Sequence, residues 1–284
     1  MQRIITIDLM KAACRKVQRA GKTLGFVPTM GALHEGHLSL VRFSKARCDV
    51  TAVSIFVNPL QFGPSEDLAK YPRDLERDAK LLDELGVDLL FVPRVDKMYP
   101  PGAKTYVLVE ELSDKLDGAS RPGHFRGVAT VVAKLFEIVR PDFAFFGQKD
   151  AAQIAVLYKM VSDLNLDVKL MVCPIVREAD GLAMSSRNAY LTPEQRQQAL
   201  VLHRSLMKVQ SAVEAGERDA AKLIEIGKSV IAEEPGARLD YFAVVDLETL
   251  DPVTLISDGS LVAVAAYLGA TRLIDNILLT SASR

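Results

Sequence analysis

The sequence predicts an α/β fold whose strands form a parallel sheet, followed by a smaller α+β domain. Short apolar segments alternate with helical segments over residues 1–175, which is the order expected of βαβ units. Several of these segments are apolar almost throughout, as in strands that helices cover on both faces. A chain of 284 residues has room for about two domains. We expect a doubly wound, Rossmann-like sheet in residues 1–175 and a second domain in residues 176–284.

The first element is predicted as a helix that begins after Thr6. Ile7, Met10, Cys14 and Val17 fall at helical spacing, and threonine is a common N-cap. Strands and helices then alternate. The predicted strands are 24–27, 50–57, 87–92, 142–146 and 168–173, and the predicted helices are 38–47, 72–85, 127–139 and 149–164.

The second domain is predicted to mix helices with an antiparallel sheet. A polar stretch over 178–188 leads to Thr192-Pro193-Glu194-Gln195, in which Thr192 and Gln195 form a capping box and Pro193 suits the first turn. A long helix should therefore begin at this point. The other predicted elements are a helix over 220–233 and strands over 241–245, 261–267 and 272–278. Without a long linker, the two domains should pack together and leave a ligand cleft.

Composition and charge exclude several classes of protein. Hydrophobic residues make up 49% and charged residues 25%, and 35 basic against 36 acidic residues give a net charge of -1. This balance argues against a nucleic-acid or membrane-surface protein, because both functions need a basic field. The apolar run of eight residues near the C-terminus is too short to span a membrane.

The cysteines and the N-terminus favour the cytoplasm. Asp8 and Lys11 interrupt the segment that a secretory signal would need to keep apolar. Cys14, Cys48 and Cys173 are odd in number and widely spaced. We expect buried free thiols in a reducing compartment.

Residues 28–37 follow the strand predicted over 24–27, so they lie where open parallel sheets bind nucleotides. Gly31 and Gly36 have the spacing of a P-loop, but His37-Leu38 replaces the lysine and hydroxyl residue of that motif. The GxGxxG fingerprint is also missing from the sequence, which disfavours a dehydrogenase.

Two histidines in this segment are candidate functional residues. His34 and His37 are three residues apart and should face the same way on a first helical turn. A metal pair is one interpretation, but zinc proteases space their histidines four apart and the sequence offers no evident third ligand. A second interpretation is that both residues only cap or pack. Gly36 between them favours a third, in which a ligand approaches the backbone.

The segment His34-Glu35-Gly36-His37 resembles the HxGH signature of adenylate-forming nucleotidylyl transferases. Four further blocks follow in order, and with the first they resemble the pantothenate synthetase (pantoate:β-alanine ligase) family from about Val27 to Asn276. These blocks are Asn-Pro-Leu-Gln-Phe at 58–62, Ser-Arg-Pro-Gly-His-Phe-Arg-Gly at 120–127, Phe-Gly-Gln-Lys-Asp at 146–150 with Gln153, and Met-Ser-Ser-Arg-Asn at 184–188.

The resemblance implies a ligase of pantothenate biosynthesis. Such an enzyme uses ATP, accompanied by Mg²⁺, to join (R)-pantoate to β-alanine through a pantoyl adenylate, and it releases AMP and pyrophosphate. The resemblance also implies a homodimer. The alternatives are another HxGH-type adenylyltransferase and a non-catalytic ATP-binding module.

The resemblance also implies a set of site residues. The catalytic residues are His37, His34, Lys149 and Arg187. The residues that contact ATP are Met30, Gly31, Ala32, Leu33, His34, Glu35, Gly36, His37, Gly147, Gln148, Lys149, Asp150, Val176, Met184, Ser185, Ser186 and Arg187. The residues that contact pantoate are Gln61, Gln153, Met30, Asn58 and Arg121, and Gln61 also contacts β-alanine.

Several of these residues have simpler interpretations. Lys149 and Asp150 could be solvated charges at a helix start, Ser185 and Ser186 an ordinary turn, and Arg121 a surface charge. No metal site with protein ligands is predicted. Asp78 is expected to be an acid on a helix surface, with a role in holding Mg²⁺ as the alternative.

Overall fold

The computed structural model describes residues 1–64 and 66–279. These residues form two compact units, the first from Met1–Gly147 and Val156–Pro174, the second from Gln148–Ala155 and the described residues from Ile175 onward. The domain boundary predicted between residues 175 and 176 stays a prediction. Within the described ranges, no helix combines the length and the apolar character needed to cross a membrane.

The first unit contains the predicted parallel sheet. Its described strands are β1 (Gln2–Ile4), β2 (Leu24–Thr29), β3 (Val50–Ile55), β4 (Leu89–Phe91), β5 (Phe143–Gly147) and β6 (Lys169–Cys173). They pair in the order β1-β4-β3-β2-β5-β6, and every pairing is parallel. The α/β prediction is confirmed. The pattern did not predict β1, because three residues are too few to show a periodicity.

The centre of this sheet contains a topological switch point. β2 pairs with β3 on one side, where Val27 lies opposite Val53, and with β5 on the other, where Gly25 lies opposite Phe143. The chain continues from β2 toward β3 and from β5 toward β6, in opposite directions across the sheet. Ligands of open α/β sheets bind at the carboxyl ends of such strands.

Consecutive residues of β2 and β3, which face opposite sides of the sheet, are buried. Both faces of the sheet are therefore covered, as in sheets with helices on each side. The helix that contains Ser44 packs very closely on β2, because a Cβ on Gly25 would lie 2.2 Å from Oγ of Ser44. Only glycine at position 25 allows this helix to approach the strand. Thr6 caps the first helix as predicted. The helices that begin before residue 175 are α1 (Ile7–Arg19), α2 (Glu35–Arg47), α3 (Leu75–Glu84), α4 (Val95–Met98), α5 (Asp117–Ser120), α6 (His124–Val139) and α7 (Ala151–Asp163).

The second unit contains the predicted antiparallel sheet and its helices. The strands are β7 (Ala237–Asp246), β8 (Ser260–Leu268) and β9 (Thr271–Leu279), in the order β7-β8-β9. The helices are α8 (Pro193–Gln198), α9 (Leu200–Glu214) and α10 (Ala220–Ala232). The ring of Phe242 on β7 packs directly over Gly227 of α10, where a Cβ would lie 2.0 Å from Cζ.

The start of the C-terminal helical region is confirmed, but its length is not. Thr192 and Gln195 form the predicted capping box, with N–H···O distances of 3.1 and 3.2 Å. The prediction of one long helix is wrong, because α8 and α9 are separated at Ala199. There the N–H of Leu202 donates to the carbonyl of Ala199, a bond of the i+3 type that interrupts the α-helical pattern.

Candidate active site

The turn that follows β2 contains backbone in the left-handed region. Gly31 has φ +83° and Ala32 has φ +51°, and such a conformation costs a non-glycine residue about 1–2 kcal/mol. Hydrogen bonds hold the turn in place. Oγ1 of Thr29 donates to the carbonyl of Ser54 at 2.8 Å and accepts from the N–H of Gly31 at 3.2 Å.

Asp78 of α3 holds the next two residues of this turn. Its Oδ2 accepts from the N–H of Ala32 at 2.8 Å, and its Oδ1 accepts from the N–H of Leu33 at 2.9 Å. The residue is 1% exposed, so the prediction of a surface acid is wrong. The physical reason is that its helix turns the carboxylate inward, where a buried charge needs hydrogen-bond donors.

His34 and His37 cap the start of α2 with their Nδ1 atoms. Nδ1 of His34 accepts from the N–H of Gly36 at 3.2 Å, and Nδ1 of His37 accepts from the N–H of His34 at 3.4 Å. The ring centroids are 4.2 Å apart. Because an accepting Nδ1 carries no proton, we infer that the ring proton of each neutral histidine lies on Nε2. Each ring thus presents an N–H donor at the positive end of the helix dipole.

Asn58 fixes the side chain of Gln61. Asn58 is 1% exposed, and its Nδ2 donates to Oε1 of Gln61 and to the carbonyl of Gly127, both at 3.0 Å. Its Oδ1 accepts from the hydroxyl of Tyr99 at 2.8 Å and from the N–H of Leu60 at 3.3 Å. Burial raises the pKa of Tyr99, so the phenol stays a neutral donor. All four hydrogen-bond positions of the Asn58 amide are therefore engaged by protein.

The amide nitrogen of Gln61 points toward the turn after β2. Nε2 of Gln61 lies 3.2 Å from Sδ of Met30. Because Asn58 donates to Oε1, the orientation of the Gln61 amide is fixed, with its N–H₂ group on the Met30 side. The structure thus brings together Met30, Asn58 and Gln61, three residues predicted to contact pantoate.

Arg121 and His124 hold the backbone of Gln61. Arg121 forms a bidentate ion pair with Glu66, with both distances 2.7 Å, and its Nη2 donates to the carbonyl of Gln61 at 3.3 Å. Nε2 of His124 lies 3.0 Å from Nη1 of Arg121, which can only donate, so Nε2 is the acceptor. The ring proton then lies on Nδ1, which donates to the carbonyl of Gln61 at 2.8 Å. Burial alone would raise the pKa of Glu66, but hydrogen bonds and charge attraction to Arg121 lower it. Arg121 is therefore a paired, largely buried side chain.

The second unit begins with a 3-10 helix, Gln148–Asp150. Nζ of Lys149 lies 3.5 Å from Oδ1 of Asp150, and the lysine side chain is 20% exposed. Gly147 ends β5 with open space at its Cβ position, and Gln153 is half-buried on α7.

The remaining predicted ATP residues lie on a short hairpin and the 3-10 helix Ser186–Tyr190. The N–H of Met184 donates to the carbonyl of Val176 at 3.0 Å, and Arg177 pairs with Ala183 in an antiparallel bridge. Oγ of Ser185 caps the 3-10 helix by accepting from the N–H of Arg187 at 3.2 Å. The hairpin thus fixes the backbone at Val176 and Met184, two of the predicted ATP contacts.

No group of three or more His, Cys, Asp or Glu side chains that could hold a metal ion occurs in residues 1–64 and 66–279. The three cysteines all lie in this part of the chain, and each is buried and free, as predicted. Burial raises the pKa of Cys14 to about 12 and that of Cys173 to about 11.

The structural roles of several residues that shape these segments were not predicted. In the first unit these residues are Asp78, His124 and Tyr99, which hydrogen-bond to the turn after β2, to Gln61 and to Asn58. In the second unit the residue is Asn276, whose amide donates to the carbonyls of Gln148 and Lys149. The sequence contains a signal for two of them: His124 lies in the block at 120–127, and Asp275-Asn276 is a polar pair between Ile274 and Ile277. Buried polar pairs of this kind require partners.

Comparisons with known proteins agree on one family. The model of the pantoate-beta-alanine ligase family matches residues 2–278. A pantothenate synthetase of Koribacter versatilis is 62% identical over 282 residues, which cover 99% of this chain and 97% of the relative. That of Acidobacterium capsulatum is 60% identical over 290 residues, which cover 98% and 97%.

Solved structures give the same result. A crystal structure of pantothenate synthetase from Thermus thermophilus has a TM-score of 0.94 and 47% identity, and the match covers 98% of this chain and 99% of that one. A pantoate-beta-alanine ligase from Francisella tularensis, complexed with beta-gamma ATP and beta-alanine, has a TM-score of 0.80 and 34% identity, with coverage of 98% and 97%. The chain described here belongs to the pantoate-beta-alanine ligase family.

Proposed function

We propose that this chain joins pantoate to β-alanine in two steps, through a pantoyl adenylate. The observation that carries this proposal is the family match over residues 2–278, together with an HxGH turn held rigidly at the sheet's switch point. In the first step a carboxylate oxygen of pantoate attacks the α-phosphorus of ATP, and pyrophosphate leaves. In the second step the amine of β-alanine attacks the acyl carbon, and AMP leaves.

His34 and His37 would serve the first step as neutral donors. Negative charge grows on the leaving pyrophosphate, and N–H groups aimed at that charge stabilise the transition state. The capping bonds to Nδ1 direct the proton of each ring to Nε2. Because these bonds fix the orientation of both rings, we propose that the turn is preorganised for phosphate. The other ATP contacts that we propose in this segment are Met30, Gly31, Ala32, Leu33, Glu35 and Gly36.

The second unit would supply the cations. We propose that Lys149 and Arg187 bind the β and γ phosphates, together with the hydroxyls of Ser185 and Ser186, because phosphoryl transfer depends on positioning and charge neutralisation. Gly147 and Asp150 would hold the ribose of the nucleotide, Gln148 would be a further ATP contact, and the backbone at Val176 and Met184 would contact adenine. Each of these assignments rests on the family resemblance.

Gln61 and Gln153 would bind pantoate, with the Met30 side chain against its apolar carbons. The contacts of Asn58 and Arg121 favour a supporting role for both residues. Asn58 fixes the side-chain amide of Gln61, and Arg121 donates to the backbone carbonyl of Gln61. β-Alanine would also contact Gln61. The Francisella relative was solved in complex with beta-alanine, and we extend this ligand to the present chain as a proposal.

Mg²⁺ would enter as part of the nucleotide substrate. Magnesium in nucleotide sites is often held by substrate phosphates, one or two carboxylates and water. Both oxygens of Asp78, the acid considered for this role, are engaged by backbone amides. We therefore propose no protein ligand for the ion.

We also propose a homodimer in the cytoplasm. The dimer rests on the family resemblance alone, and light scattering of the purified protein would test it. The cytoplasmic location rests on three free, buried cysteines, which suit a reducing compartment.

One incubation tests the function. The purified protein is mixed with ATP, Mg²⁺, (R)-pantoate and β-alanine, and AMP and pantothenate are measured. We expect equal amounts of the two products, and no AMP when pantoate is omitted. Nucleotide binding without AMP would indicate a non-catalytic module, and AMP transfer to a different acceptor would indicate another HxGH adenylyltransferase.

A further inference from the structure

Strand β9 carries two adjacent buried polar residues. Asp275 and Asn276 are each 3% exposed, and both lie between isoleucines in the strand. Buried polar side chains of this kind are retained only where they find partners, because an unpaired amide or carboxylate is costly. Their partners therefore indicate what the pair does.

The amide of Asn276 is committed to the 3-10 helix Gln148–Asp150. Its Nδ2 donates to the carbonyl of Gln148 at 3.0 Å and to the carbonyl of Lys149 at 2.9 Å. Its Oδ1 accepts from Nε2 of Gln148 at 3.3 Å. Both amide protons are used, so the side chain fixes the backbone of Lys149 and its neighbour.

Asp275 holds the hairpin that precedes Ser185. Its Oδ2 and Oδ1 accept from the two Nη atoms of Arg177 at 2.6 and 2.9 Å, and Oδ1 also accepts from the N–H of Asn276 at 2.7 Å. Nη1 of Arg177 donates further to the carbonyl of Gly181 at 3.0 Å. A bidentate pair of this geometry is among the stronger protein hydrogen-bond arrangements.

We propose that Asp275 and Asn276 are positioning residues that lock together the two phosphate-binding segments of the second unit, Asn276 by fixing Lys149 and Asp275 by fixing the hairpin through Arg177. The proposal rests on the function proposed above, since it gives Lys149 a phosphate to bind. Neither residue would contact a substrate. Their role is to set where the Lys149 ammonium and the Ser185–Arg187 segment stand before ATP binds.

The test compares Asn276→Asp and Asn276→Ser with the wild type. The aspartate keeps the size of the side chain but turns an acceptor toward two carbonyls, whereas serine keeps one donor. We expect kcat/KM for ATP to fall by on the order of 10²-fold in Asn276→Asp, because small misplacements of a binding group have effects of this size. The kcat/KM for ATP of Asn276→Ser should lie between the values of Asn276→Asp and the wild type. KM for pantoate should change less than about threefold in either variant. Equal losses toward both substrates would overturn the proposal.

A double-mutant cycle distinguishes positioning from general support of the fold. If Asn276 acts through Lys149, Asn276→Ser should cost little in a Lys149→Ala background. The same loss in both backgrounds would overturn the proposal. Leu273→Ala on β9 is the matched control. Leu273 is buried in the core of the second unit, and its apolar side chain can pack there but cannot hydrogen-bond to the 3-10 helix. It should lower the melting temperature but leave KM for ATP unchanged.

The proposed function and the positioning role fail separately. A wild-type protein that forms no AMP would overturn the function, and the positioning role with it. An active wild type with a defective Lys149→Ala variant, but additive effects of Asn276→Ser, would overturn the positioning role alone.

Discussion

The carboxylate of Asp78 accepts a hydrogen bond from the N–H of Ala32 at 2.8 Å, across 46 residues of sequence. Ala32 is the residue whose φ of +51° turns the chain between β2 and α2. A second bond, from the N–H of Leu33 at 2.9 Å, completes the contact. The segment that carries both histidines thus depends on a charge from a different helix.

We predict that Asp78→Asn weakens both the fold and the reaction. An asparagine of the same size places an N–H₂ group near backbone N–H groups, so at least one charge-assisted bond is lost. The free energy of unfolding should fall by about 2–3 kcal/mol, and kcat should fall with it. Denaturant unfolding and steady-state kinetics measure the two effects. Glu84→Gln, an exposed acid on the same helix, is the control, and matching behaviour of the two variants would contradict the assigned role.

The two functions of His34 can be separated by substitution. Asparagine is a good N-cap but has no imidazole, whereas alanine supplies neither. We predict that both His34→Asn and His34→Ala lose about 10²–10³-fold in kcat, and that only the alanine variant loses about 1 kcal/mol of stability. Kinetics and thermal unfolding provide the data. Full activity in His34→Asn would mean that the histidine only caps the helix.

The fold was predictable from local signals, and the supports of the site were not. The capping box at Thr192 and the alternation of strands with helices depend on residues close in sequence, so the pattern contains them. The burial of Asp78 and the ion pair of Arg121 with Glu66 depend on partners 45 to 55 residues away. A single sequence gives no distance between such residues, and an acidic helical residue looks the same whether it faces water or a turn.

Gln61→Ala should impair pantoate binding selectively. The side-chain amide is oriented by Asn58 with its N–H₂ group near Met30, so its removal deletes a preorganised donor. We expect KM for pantoate to rise about tenfold, as for the loss of roughly 1.4 kcal/mol, with KM for ATP nearly constant. Gln210→Ala, on the exposed surface of α9, serves as the control. An equal rise in both KM values would point to a collapsed loop.

The stability of the protein should fall in mildly acidic solution through His203. Burial lowers the pKa of His203 below its ordinary value of 6.5, the charge of Arg177 lowers it further, and Asp275 partly opposes this. The unfolded chain therefore binds a proton at a higher pH than the folded chain does. Stability from the neutral ring is complete above pH 6.5 and is lost as the pH falls toward the folded pKa.

Thermal unfolding between about pH 7.5 and 5.5 measures this effect. The melting temperature of His203→Gln should fall less steeply with decreasing pH than that of the wild type. Every other titratable group is the same in the two proteins, so the difference between the two slopes isolates His203. Identical slopes would contradict the prediction.

Pyrophosphate exchange tests most directly whether the pantoyl adenylate forms before β-alanine reacts. Enzyme, Mg²⁺, ATP and pantoate are mixed with labelled pyrophosphate and no β-alanine. We predict that label enters ATP, that omission of pantoate abolishes the exchange, and that Lys149→Ala slows it strongly. The contrary result is an enzyme that makes pantothenate when β-alanine is added, yet shows no exchange and yields no pantoyl adenylate on rapid quenching.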